Sequence, residues 1–122
     1  MFAQIDFSII DTVSNTTSQA IEVPAWATRA QLFVPTIATA VMSMQMIEAR
    51  NVTAAKIVAD QSTDWKTVRS EDESSTILAS GEGNTWIDIT EFVRSLPPEC
   101  YIRFVSNADQ VADKALIIIF RG

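Results

Sequence analysis

Apolar residues recur at every second position along most of this chain. Ile5, Phe7 and Ile9 point one way between polar neighbours, Ile21 and Val23 repeat the step, and the run from Gln31 to Val34 ends at Pro35. A period of two is the mark of an extended strand that turns one face to a core. The same pattern returns at Met42–Met46, 56–59, 65–68, 76–79, 85–89, 101–105 and 115–120, each stretch bounded by polar turn residues. About ten short strands at this spacing predict an all-β fold, a single-domain antiparallel β-sandwich spanning residues 1–122.

One segment reads as helix. Thr90 is placed to cap the first free N–H groups, Glu91 lies near the positive end, and Pro97-Pro98 stops continuation, so a short connector helix is expected near residues 90–96. Residues 1–19 allow two readings, an extended N-terminal strand or an arm. In the arm reading the polar stretch from Thr12 to Gln19 is a hinge, and Phe2, Ile5, Phe7 and Ile9 are candidate protein-interface residues that enter pockets on a neighbour. The same residues serve equally well as the first strand of the chain's own sheet. Arg69 to Ser75 reads as a charged surface turn.

Composition narrows the function classes. Fifteen acidic against nine basic residues give a net charge of −6, and there is no histidine. A face that neutralises a phosphate backbone would have to be assembled against the overall field, so no nucleic-acid partner is expected. The longest apolar run, Ala115 to Phe120, is far below bilayer length, and the N-terminal residues carry no basic region ahead of their apolar ones. Neither a membrane span nor a signal peptide is expected.

Four groups of residues invite a chemical reading. Met42, Met44 and Met46 would bring three thioethers to one side of an extended chain, as Cu(I) prefers, but no Cys or His supports them, so core packing is expected and no metal. Asp60 with Asp64, or Glu71-Asp72-Glu73, falls short of a calcium loop or a glycosidase pair, and solvated turn charge is the expectation. Cys100 or any serine lacks a histidine base, and no G-x-S-x-G elbow occurs, so no catalytic residue, no cofactor and no enzyme are expected. The single cysteine reads as a small buried thiol. Of the tryptophans, Trp86 or its neighbours Ile87 and Ile89 should close the core, whereas Trp26 and Trp65 lie beside turns and are candidate aromatic contacts.

Read in order, the segment Ile21 to Ala30 with its Pro24-Ala25-Trp26, the strand Gln31 to Val34, Asp60 to Val68, and Tyr101 to Asn107 resemble a group of small tailed-bacteriophage virion proteins. In those proteins a Pro-Ala-Trp segment precedes a strand, an Asp-rich turn precedes an aromatic strand, and a Tyr-Ile-Arg strand precedes a last apolar strand. The order fits over most of residues 20 to 121, although the glycine that similar proteins often carry in the Asp turn is absent between Asp60 and Asp64. The resemblance implies a sandwich of jelly-roll character in a virion, on the capsid exterior after assembly in the host cytoplasm. It implies a capsid decoration or cement protein whose partner is the major capsid protein and which forms a homotrimer. The alternative is a tail, fibre or adhesin component with a carbohydrate-binding sandwich.

Overall fold

Alternating segments become strands wherever the chain is described, and the computed structural model describes residues 1–9, 16–37, 41–48, 65–70, 75–78, 83–110 and 112–122. In chain order these hold β1 (Phe2–Ile9), β2 (Ile21–Glu22), β3 (Arg29–Val34), β4 (Met42–Glu48), β5 (Lys66–Thr67), β6 (Thr76–Leu78), β7 (Thr85–Asp88), helix α1 (Thr90–Arg94), β8 (Cys100–Ser106) and β9 (Lys114–Arg121). One sheet has the order β1-β9-β3-β7 and the other β2-β8-β4-β5, with β6 also paired to β4. All pairs are antiparallel. The chain alternates between sheets from β1 to β4 and returns in the same interleaved way from β7 to β9, which is the strand order of a jelly roll. The expected strand at 56–59 and the carboxylates Asp60, Asp64 and Glu71–Glu73 lie outside the described residues.

Two strands share one place at the sheet edge. Lys66 and Thr67 oppose Met46 and Gln45, the Val68 N–H donates to the Met44 carbonyl at 2.8 Å, and pairing resumes at Thr76 opposite Ser43. β5 and β6 thus line the same edge of β4, one after the other.

The inward faces interlock as the alternation requires. Phe7, Ile9, Leu32, Val34, Leu116, Ile118 and Phe120 come from the first sheet, and Ile21, Met42, Met44, Ile102 and Phe104 from the second. Phe7 and Phe104 meet across the core with ring centroids 5.6 Å apart. Met42 and Met44 are fully buried and Met46 half-buried, so the methionine stripe fills space between sheets. Truncating a side chain so placed costs about 2–5 kcal/mol.

The arm reading of the N-terminus gives way to the strand reading. β1 pairs with β9 over its full length, from Phe2 opposite Arg121 to Ile9 opposite Lys114. Phe7 and Ile9 are sealed in the chain's own core and Ile5 packs against it, so of the four candidate interface residues only Phe2 is well exposed. The physical reason is that β9 needs a partner on that side, and β1 supplies both the ladder and the apolar face. Part of the presumed hinge is ordered stitching: Ser18 N–H donates to the Phe104 carbonyl, its hydroxyl accepts from the Phe104 N–H, and the Gln19 N–H donates to the Ser8 carbonyl. Thus residues 16–19 tie an edge of each sheet together.

The helix is also capped differently from expectation. Thr90 is its first helical residue, with Ile89 at the N-cap position, where no side chain makes a capping bond. The Asp88 carboxylate accepts the Thr90 N–H at 3.0 Å, while the Thr90 hydroxyl accepts from the Ala30 N–H at 3.2 Å. The threonine thus clips the helix to β3, and Phe92 and Val93 turn inward to cover the open end of the core.

Candidate docking face

The two outer faces of the sandwich differ, and the register of the first sheet shows how. Side chains of β1, β9, β3 and β7 that point away from the core fall into rows across the strands. Asp6, Ile117, Phe33 and Trp86 form one row, Gln4, Ile119, Gln31 and Asp88 the next, and Phe2, Arg121 and Arg29 the last. An outer face of a two-layer sandwich is ordinarily polar. Here Ile117, Ile119, Phe33 and Trp86 are adjacent on it.

Trp86 is 49% exposed, and its ring lies 5.3 Å from that of Phe33 at an interplanar angle of 58°. Its neighbours close the core instead, Ile89 fully and Ile87 in part, as strand alternation dictates once Trp86 points outward. β9 explains the rest of the patch: Leu116, Ile118 and Phe120 face the core while Ile117 and Ile119 face out, making the strand apolar on both sides. Such strands are usual where both faces are covered.

Below the apolar row the charge is as unusual. Arg29 stands directly opposite Arg121 on neighbouring strands, a like-charge pairing that weakens a sheet. Arg121 places its guanidinium 5.1 Å from the Phe2 ring centre, and among the described residues neither arginine has a carboxylate in ion-pair contact. The two line a depression of about 190 Å³ together with Gln31, Asp88, Thr90 and Ile119. Asp88 lines the same depression without an ion-pair contact to either arginine among the described residues. The Thr90 hydroxyl and the Thr90 N–H hold its carboxyl below the usual range, with Arg94 adding a smaller pull.

The second sheet's outer face is occupied by its own side chains. Arg103 donates from Nε to the Gln45 Oε1 at 2.8 Å and lays its guanidinium 4.3 Å from the centre of the Trp65 ring. Trp65 is therefore half-buried under a cation, and its indole N–H is buried with no hydrogen-bond partner among the described residues. Trp26, the other candidate aromatic contact, is half-buried against the core, and its ring lies so close to Gly122 that a Cβ there would come within 3.1 Å of it. Neither ring belongs to an aromatic pair among the described residues, so the two candidates are not brought together.

Burial, with Glu48 nearby, pushes the Cys100 thiol up to about 11, so the thiolate is scarce at neutral pH. Among the described residues no group of three or more His, Cys, Asp or Glu is placed to hold a metal, and no helix is long and apolar enough to cross a membrane. The residues that sequence reasoning missed are Phe33, Trp86, Ile117, Ile119, Arg29 and Arg121. One signal for them was present: an unbroken apolar run from Leu116 to Phe120 has no solvent face.

No protein-family model matches the chain, and no curated protein matches it.

Proposed function

We propose that this chain is a non-enzymatic virion structural protein, a capsid decoration or cement protein that binds the outer surface of the shell and stabilises it through protein–protein contacts. The observation that carries the reading is the contiguous outward row of Ile117, Phe33 and Trp86 on a jelly-roll sheet, an apolar surface suited to contact with protein. The resemblance of the segments around Trp26, Trp65 and Tyr101 to tailed-phage virion proteins supports it, as does an acidic, histidine-free composition that suits the outside of a shell better than packaged DNA. The major capsid protein is the partner in this reading, and the protein acts as a homotrimer.

The mechanism is linkage. Contacts that exist only in the assembled shell shift the equilibrium toward assembly by mass action, and many copies add many small increments. Quantitative gels of purified particles test the idea: a copy number comparable with that of the major capsid protein is expected, and a handful per particle would move the protein to the tail. A second reading, a carbohydrate-binding adhesin of a tail or fibre, draws on the exposed Trp86 beside Phe33, since rings of this kind stack on sugars. It requires glycans to quench tryptophan fluorescence, and silence across a broad glycan panel counts against it.

A further inference from the structure

We infer that the outer face of the β1-β9-β3-β7 sheet is the shell-docking surface, and that it takes an acidic protein segment which seats a carboxylate between Arg29 and Arg121 and an apolar side chain on Ile117, Phe33 and Trp86. This rests on the decoration reading. The face is selected over its counterpart because the Arg103 guanidinium of the second sheet is already engaged by the Gln45 Oε1 and the Trp65 ring, whereas Arg29 and Arg121 oppose each other with no carboxylate in contact among the described residues. In a chain with only nine basic residues and a net charge of −6, two arginines set side by side outnumber the one carboxylate, Asp88, that lines the depression with them, which leaves a net positive site. An incoming carboxylate removes their repulsion and accepts hydrogen bonds from both guanidinium groups.

The geometry also sets a spacing. The arginine row and the Phe33 row are four residues apart along β3, about 13 Å at strand rise, so the partner must present its acid and its apolar anchor at that separation. A second copy of this chain fits poorly in face-to-face pairing. It would gather four arginines in one interface, and the acids on the face are Asp88, already held by Thr90, and Asp6 at its edge.

The test uses shells assembled from the source particle's capsid protein without this chain, and co-sedimentation of the added wild-type protein or of variants. R29Q/R121Q and K66E both lower the net charge by two, from −6 to −8, but Lys66 lies exposed on β5 of the other sheet. R29Q/R121Q is expected to bind at least about tenfold more weakly and to lose much of the salt dependence, with K66E binding like wild type. W86A should weaken binding as well, its fold checked by an unchanged urea midpoint. If wild type binds and R29Q/R121Q binds equally well, the face is wrong while the decoration reading stands. Failure of the wild type itself to bind would reject the decoration reading. Free wild type sedimenting as an oligomer that R29Q/R121Q disperses would assign the face to a second copy and overturn the inference.

Discussion

At the residue scale Thr90, the expected helix cap, is itself held by a residue without a plain sequence signal, Asp88. Its carboxylate receives the Thr90 N–H at the start of α1, a bond that favours the ionised form and lowers its pKa. A carboxylate with a depressed native pKa stabilises the fold fully above the ordinary value near 3.9, and that contribution is lost as pH falls through the native value. Asp88→Asn should therefore be less stable than wild type at pH 7, by under about 1 kcal/mol because the group is largely solvent-screened. The difference should shrink when urea midpoints are compared at pH 3, and a gap equal at both pH values would show that the charge plays no part. Thr90 was legible as a helix-start residue but not as the clip to Ala30, because that contact depends on a strand 60 residues away.

At the element scale β9 separates two uses of apolar residues within one strand. Ile118 is fully buried between the sheets, whereas Ile117, one position earlier, is half-exposed on the outer row. Ile118→Ala should cost about 2–4 kcal/mol through lost burial and the cavity left behind. Ile117→Thr keeps β-branching and should stay within about 0.5 kcal/mol of wild type in urea unfolding, as surface substitutions do. A large loss at Ile117 would mean that its face is part of the fold's own core and not a docking surface. The strand itself was easy to read from its composition. Its two-sidedness was not resolved, since a run such as Leu116 to Phe120 lacks the polar alternation that assigns one face to solvent. The existence of β4 and the packing role of Met42 and Met44 were legible for the opposite reason, their alternation with Ser43 and Gln45 being clean.

At the scale of the whole molecule, local pattern identified the all-β class while leaving the pairing of the strands open. β1 joins β9 across more than a hundred residues, and Arg29 meets Arg121 across nearly as many, so neither the first sheet's order nor its arginine pair follows from any window of sequence. The resemblance to phage virion proteins supplied the jelly-roll expectation, which the interleaved sheet orders meet. That topology settles what the N-terminal strand must do on truncation. Removing residues 2–9 deletes Phe7 and Ile9 from the core, strips one whole edge from β9, and exposes a long strand that is apolar on both sides. Two lost core side chains at about 3 kcal/mol each are comparable with the 5–15 kcal/mol that hold a domain together, before the ladder is counted. The truncated chain should lack near-ultraviolet circular dichroism and a cooperative urea transition, and it should aggregate through the uncovered edge. A soluble truncated protein that unfolds at the wild-type midpoint would restore the arm, and with it Phe2, Ile5, Phe7 and Ile9 as residues held for a neighbour.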